Sequence, residues 1–261
     1  VFAIQPTHAG VGHGDVLSGV AFQTQPVVQA QNANGALDIH FADQVTLTTT
    51  AAGTLSGATT VQATNGVATF ANLAYTASAD QENFTLVAND EIAGSGGDLP
   101  SANANALTAD IVATQIVFAT PPSDNSATNG SVVNGRVFAI QPIIEAQNAS
   151  GQRDLDINNA TATLSTSGSS VVLSGTTVTS WNSGRAVFSN LKTTGSSDGE
   201  IFTLAAATNN LPTAQLVLIN DVVASQLVFA VQPAQSGVSN GTIIHGMPFS
   251  TQPIIEARDA L

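Results

Sequence analysis

The stretch Gly-Arg-Ala-Val-Phe-Ser at residues 184–189 alternates between two kinds of side chain along the backbone. In an extended strand successive side chains point to opposite faces, so Ala186 and Phe188 share one face while Arg185 lies on the other. Small and apolar residues on one face, backed by a charge on the other, are typical of a half-buried strand. We therefore expect this stretch to be a strand that packs Phe188 into a core.

The same stretch occurs earlier in the chain and belongs to a longer repeat. Residues 66–73 read Gly-Val-Ala-Thr-Phe-Ala-Asn-Leu, and residues 184–191 read Gly-Arg-Ala-Val-Phe-Ser-Asn-Leu. A Val-Phe-Ala segment also begins at residues 1, 117 and 228, and a Phe-x-x-Gln-Pro block begins at residues 22, 138 and 249. Self-similarity in a fixed order indicates a repeat architecture. It predicts three units, at residues 1–113, 114–224 and, incomplete, 225–261, that follow one another without a linker.

Each full unit consists of short runs with strand-like alternation, separated by Gly, Asn and Pro, and no stretch carries a sustained helical stripe. About seven short antiparallel strands in a unit of this size are typical of a two-sheet sandwich. The predicted fold class is therefore all-β, with tandem immunoglobulin-like antiparallel β-sandwiches. In the first unit, the runs lie near residues 1–5, 22–31, 45–50, 58–63, 66–71, 83–88 and 107–112.

Several motifs recur in order and resemble one family. They are Pro-x-Val-x-Ala-x-Asn-x-x-Gly at residues 26–35, Gly-x-Ala-x-Phe-x-Asn-Leu at residues 66–73, and Phe-x-Leu-x-Ala at residues 84–88. In this order they are similar to the bacterial immunoglobulin-like (Big or invasin-type) tandem repeats of large extracellular surface proteins, and the resemblance covers the whole chain. It implies a non-enzymatic protein at the cell surface, arrayed in stalks, adhesins or surface layers.

Composition excludes several classes of function. The chain has 18 acidic residues against 5 Lys and Arg, for a formal net charge of −13. Binding to nucleic acid requires clustered cations, so we expect no nucleic-acid partner. The absence of cysteine excludes thiol catalysis, thiolate metal sites and disulfides. No apolar run approaches the roughly 18 residues of a membrane span, so we expect no membrane insertion.

Three apparent catalytic or metal-binding motifs fail on inspection. Residues 195–199 match the G-x-S-x-G nucleophile pattern, but they join two predicted strands, and their counterpart at residues 77–81 lacks both glycines. Glu145 and Glu256 occupy equivalent positions in different units and cannot flank one cleft as acid and base. Alternation predicts that both are solvated. Residues 154–158 begin like a calcium loop but lack its turn glycine and its final glutamate. We therefore expect that the chain is not an enzyme.

Oxygen-rich sites of another design remain as candidates for calcium. Asp90, Glu91 and Asp98 share one loop of the first unit, and Asp110 and Asp221 occupy equivalent ends of the first two units. Carboxylate oxygens are the ligands that Ca²⁺ prefers in proteins. Calcium at a junction would stiffen the array by neutralising clustered carboxylates. These five residues are the predicted metal ligands, and no other cofactor is expected.

Two hypotheses about function follow. In the first, the chain is a structural segment of a stalk, fibre or surface layer, and its partners are further repeats or other copies of itself. The third unit is too short to close a core alone, so strand completion between chains is one route to a polymer. In the second, the chain is an adhesin module whose loops bind a glycan or host protein. The sequence argues against the adhesin hypothesis, because sugars stack on flat aromatic rings and Trp181 and Tyr75 are the only Trp and Tyr.

Overall fold

The computed structural model describes residues 1–90 and 98–261. These residues form strands and connecting loops, with no helix among them. The all-β prediction is therefore confirmed, and the sheets are consistent with immunoglobulin-like sandwiches. Within this described part there is accordingly no helix long and apolar enough to cross a bilayer.

The first unit contains more strands than the alternation pattern predicts. The twelve strands are β1 Phe2–Ile4, β2 Val16–Leu17, β3 Val27–Gln29, β4 Gln44–Thr49, β5 Thr54–Ser56, β6 Thr60–Gln62, β7 Val67–Thr69, β8 Ala74–Thr76, β9 Glu82–Phe84, β10 Leu86–Asp90, β11 Ala102–Asn103 and β12 Leu107–Asp110. Four of them, β2, β5, β8 and β11, lie outside the predicted runs, and each is only two or three residues long, too short to show a period of two. One predicted run near residues 83–88 is divided into β9 and β10, which pair with different strands.

The second unit has longer strands, and two of them form an extended hairpin. Its strands are β13 Gln115–Thr120, β14 Val132–Val133, β15 Ile143–Gln147, β16 Thr161–Ser167, β17 Val172–Thr176, β18 Val178–Ser180, β19 Arg185–Val187, β20 Ser189–Thr194, β21 Glu200–Thr208 and β22 Leu211–Asp221. The chain then continues with β23 Gln226–Val231 and β24 Ile254–Arg258.

The two full units share one pattern of strand pairing. In the first unit β3 lies between β1 and β7, and in the second unit β15 lies between β13 and β19. Central sheets run in the order β11-β10-β4-β6 and β14-β22-β21-β16-β18. A short early strand runs parallel to the last strand of each unit, β2 beside β12 and β14 beside β22. The other strand pairs are antiparallel, as the sequence predicts.

An irregularity in the first strand recurs three times. The register shifts between Phe2 and Ile4, between Phe118 and Thr120, and between Phe229 and Val231. A β-bulge inserts one unpaired residue and increases the local twist. Its recurrence shows that the first strands of the three units pair with their neighbours in the same way.

Each full unit has its own hydrophobic core. One cluster of buried residues extends from Val16 to Ile111, and a second extends from Ala113 to Leu218. Phe70 and Phe188 are each 1 % exposed, as the alternation predicts. Burying one such ring is worth about 1.5–3 kcal/mol, so a few aromatic residues anchor each sandwich.

The third unit exposes residues whose counterparts are buried. Leu227 and Ile255 are 75 % and 55 % exposed, whereas the equivalent Ile116 and Ile144 are 4 % and 0 % exposed. The antiparallel pair of β23 and β24 therefore presents an apolar face that no second sheet of the described residues covers. Completion of this unit by strands of another chain stays a prediction.

Candidate functional site at the junction of the first two units

A buried carboxylate connects the first two units. Asp80 lies in the turn between β8 and β9 and is 8 % exposed. Its Oδ1 accepts hydrogen bonds from the backbone N–H groups of Gln81 at 2.9 Å and of Ile111 at 2.7 Å. Its Oδ2 accepts one from Leu155 of the second unit at 2.7 Å. One side chain thus satisfies backbone donors on both sides of the junction.

Further hydrogen bonds cross the same boundary. Asp154, which is 6 % exposed, accepts the N–H of Ala113 on Oδ2 at 2.8 Å and that of Asp156 on Oδ1 at 2.9 Å. Gln152 donates from Nε2 to the carbonyl oxygen of Ala77 at 2.6 Å. Hydrogen bonds to charged groups are about twice as strong as neutral ones, and they are strongest away from water. The two units are therefore held in a defined orientation.

Three carboxyl groups gather beside these bonds. Asp80, Asp110 and Asp156 each place one oxygen within 4.8 Å of the others, close enough to hold one metal ion. Oδ2 of Asp156 is buried without a hydrogen bond and lies 3.2 Å from Nδ1 of His13. Burial and the nearby charge of Asp80 raise the pKa of Asp156 above its ordinary value. Ionisation of Asp156 is therefore less favourable in the folded chain than in the unfolded chain.

The donor set fits a hard divalent cation such as Ca²⁺, which takes six to eight oxygen ligands from carboxylates, carbonyls and water. Three carboxylates would supply part of such a shell. A bound cation would relieve the repulsion that raises the pKa of Asp156. The predicted calcium ligand Asp110 thus has two carboxylate neighbours that the sequence did not single out.

The other predicted ligands lie apart from this group. Asp90 is buried at the end of β10, where both its oxygens accept the N–H of Leu99 at 3.2 Å, and Asp98 is exposed. Glu91 lies outside the described residues. Asp221 ends β22, and its Oδ2 accepts N–H groups of the loop that precedes β14. Within the described residues, none of the other three, Asp90, Asp98 and Asp221, joins a metal-sized cluster of carboxylates.

A signal for the two missed aspartates is present in the repeats. Asp80 has a counterpart in Asp198, which accepts the N–H of Val222 at 2.8 Å, just as Asp80 accepts that of Ile111. Asp156 belongs to the stretch that begins like a calcium loop. Neither residue could be connected to Asp110 from the sequence, since the three meet only when the units pack together.

The prediction that Glu145 is solvated is wrong. Glu145 is only 9 % exposed, because Arg185 of the neighbouring strand and Arg153 of the following loop cover it. Its Oε1 lies 2.6 Å from Nε of Arg185 and 3.5 Å from Nη1 of Arg153. Burial raises the pKa of Glu145, but hydrogen bonds from Arg185 and Gln147 outweigh this effect and hold it below its ordinary value. Glu256, the equivalent in the third unit, is exposed as predicted.

The two arginines line a groove between the units, which we call the junction groove. It encloses about 430 Å³. Its lining residues are Ser78, Ala79, Asp80, Glu145, Gly151, Gln152, Arg153, Leu155 and Arg185. The first three belong to the first unit and the rest to the second, so the groove exists only while the units are docked.

Comparisons with known proteins identify no family. No family model matches this chain, and no curated protein matches it. Among solved structures, it is similar to a glycosyl hydrolase family 2 member from Bacteroides cellulosilyticus, with 12 % identity, a TM-score of 0.34, and coverage of 69 % of this chain and 22 % of that chain. The β-glucuronidase of Parabacteroides merdae matches with 12 % identity, a TM-score of 0.28, and coverage of 69 % and 21 %. The chain thus spans about a fifth of the length of these hydrolases.

A fragment of intimin is also similar. The C-terminal 282-residue fragment, solved in complex with the intimin-binding domain of the translocated intimin receptor, matches with 13 % identity and a TM-score of 0.28. The match covers 87 % of this chain and 69 % of that chain. At these low TM-scores, we base no conclusion about fold or function on any of the three likenesses.

Proposed function

We propose that this chain is a non-enzymatic structural segment of an extracellular surface protein, in which tandem sandwiches form a stiff spacer within a stalk, fibre or surface layer. The observation that carries the proposal is the pair of hydrogen bonds through which Asp80 holds Ile111 and Leu155 of successive units. A spacer transmits position over a distance only if its joints resist bending. The hydrogen bonds that cross the junction support this property.

The stiffness has a physical cause. Bending the joint would separate Oδ2 of Asp80 from the N–H of Leu155, so a carboxylate oxygen and a half-buried N–H would lose their partners. Losing one such partner costs about 1–3 kcal/mol, and more when a charge is involved. Asp154 adds a second bond of the same kind to Ala113. Because Ala113 and Thr114 join the units directly, there is no flexible linker to absorb the motion.

The extracellular placement rests on the sequence motifs and on composition. The family that the repeats resemble is found at bacterial surfaces. A net charge of −13 and a shortage of lysine keep such an array soluble and discourage association between its sheet edges.

Distance measurement between the units tests the stiffness directly. The chain has no cysteine, so Thr48→Cys and Ser165→Cys place one spin label on an exposed strand position of each unit. Pulsed electron spin resonance should give a single narrow distance distribution. Adding Asp80→Asn and Asp154→Asn should broaden it. A broad distribution in the doubly labelled chain without these changes would overturn the proposal.

Surface labelling tests the placement. An antibody raised against the chain should label intact cells of the source organism. Labelling that requires permeabilised cells would contradict an extracellular role while leaving the stiffness of the junction unaffected.

A further inference from the structure

We propose that the junction groove is a binding site for a carboxylate-bearing sugar of monosaccharide size, a hexuronate, held by Arg153 and Arg185. This inference goes beyond the structural role and shares with it only the docking of the first two units. It starts from the distribution of positive charge. Of only five Lys and Arg in the chain, two lie side by side in this one groove.

The two guanidinium groups are held in place but retain free donors. Glu145 fixes both arginines through Oε1, at 2.6 Å from Nε of Arg185 and 3.5 Å from Nη1 of Arg153. Nε of Arg153 is buried without a hydrogen-bond partner. Within the described residues, the terminal nitrogens of Arg185 have no partner either. A guanidinium group presents its donors as a rigid fork that matches a planar carboxylate.

The first unit shows that the sandwich does not need these charges. Glu145 and Arg185 lie opposite each other on neighbouring strands, and the residues at the same positions in the first unit are Gln29 and Val67. Likewise, the bridge between Gln147 and Arg153 corresponds to that between Gln31 and Leu37. The same positions thus hold neutral residues in a unit with the same strand pairing. The shared fold therefore does not by itself require the charges of the second unit.

Charge and lining define the class of ligand. The two positive charges of the arginines are matched by the two negative charges of Glu145 and Asp80, so the lining carries no net formal charge, in a chain whose net charge is −13. This balance favours a monoanionic carboxylate over a dianionic phosphate. The groove has no aromatic ring on which a sugar could stack, so a ligand here would be held by hydrogen bonds to the arginines, Ser78 and Gln152. Such a lining suits a hydroxyl-rich molecule, and a volume of about 430 Å³ accommodates one pyranose ring.

Titration calorimetry on the full chain tests the proposal with four probes: sodium glucuronate, glucose, acetate and inorganic phosphate. Glucuronate should bind, and its affinity should fall as salt is added. Glucose and acetate should each bind at least about tenfold more weakly, because each lacks one half of the recognised chemistry. Glucuronate binding that is no tighter than that of acetate, or weaker than that of phosphate, would overturn the assignment.

Variants identify the residues. Arg185→Gln and Arg153→Gln should each weaken glucuronate binding at least about tenfold, since each removes a charged hydrogen-bonding partner. Arg136→Gln is the matched control for Arg185→Gln, because Arg136 is about as exposed as Arg185 but lies beside Asp124 and away from the groove. Unchanged Trp181 emission and melting temperature would show that the variants fold. Equal losses in all three variants, or no loss in the two groove variants, would refute the proposed site.

Discussion

Replacing Asp80 with asparagine should release the second unit from the first while leaving both folded. Asparagine has nearly the shape of aspartate but only one acceptor oxygen. Two N–H groups of the first unit, those of Gln81 and Ile111, converge on Oδ1, so the amide oxygen should remain there. The amide nitrogen then faces the N–H of Leu155, and two donors meet where a donor and a charged acceptor met before.

The size of the effect follows from that single lost bond. A hydrogen bond to a charged group contributes about 1.5–3 kcal/mol, and here its loss also leaves a half-buried N–H without its acceptor. We therefore expect the free energy of separating the units to fall by about 2–3 kcal/mol. Since 1.4 kcal/mol corresponds to a factor of ten, the separated state becomes roughly 30 to 150 times more populated.

Amide hydrogen exchange measured by NMR reports this change residue by residue. Protection of the Leu155 amide should fall by about that factor, whereas the Ile111 amide keeps its acceptor and its protection. Asp198→Asn is the control. Asp198 occupies the equivalent turn of the second unit and accepts the N–H of Val222, but it does not contact Leu155. Unchanged protection at Leu155 in Asp80→Asn, or an equal loss in Asp198→Asn, would refute the reasoning.

Three further predictions concern the carboxylate group and the two cores. Because the pKa of Asp156 is raised, its ionised form is disfavoured in the folded chain, and stability falls as the pH rises through that pKa. Asp156→Asn should therefore raise the melting temperature at pH 7 in the presence of a chelator, and it should abolish the stabilisation that we expect from Ca²⁺. A melting temperature of the variant that still rises with Ca²⁺ would contradict the site. Burial raises the pKa of Tyr75 from 10.0 to about 12, so roughly 3 kcal/mol of stability should be lost as the pH rises between those two values. Ultraviolet absorbance follows the ionisation of this single tyrosine, and a midpoint near pH 10 in the folded chain would contradict the prediction. Trp181 is 2 % exposed and donates from Nε1 to Thr208 at 3.0 Å. Trp181→Ala should therefore lower the free energy of unfolding of the second unit by about 3–5 kcal/mol, measured by urea unfolding followed by circular dichroism. A loss below about 1 kcal/mol would contradict its anchoring role.

The sequence predicts those parts of the fold that depend on local periodicity and on repetition. Phe70 and Phe188 are found in the cores because alternation along a strand determines which face each residue occupies. The short strands β2 and β8 were missed, because their backbone pairing comes from distant strands and leaves no pattern in two or three residues.

The candidate site could be predicted only in fragments. Asp110 was identified from its position at the end of a unit, but Asp80 and Asp156 approach it through packing across a boundary that the linear pattern does not describe. Glu145 was assigned to the correct face of its strand and to the wrong environment. Alternation distinguishes the two sides of a sheet, but it does not reveal that a neighbouring loop folds Arg153 over one of them.

The parallel pairing of the early and last strands has a consequence for a chain under tension. In the first unit the N–H groups of Asp15 and Ser18 donate to Thr108 and Asp110 of the last strand, at 2.8 and 2.9 Å. When the two ends of such a unit are pulled apart, parallel neighbours slide past one another along their length. The hydrogen bonds between the two strands are then loaded together in shear and do not break one after another. In each full unit, the parallel strand pair therefore resists forced unfolding between the two ends at which tension is applied.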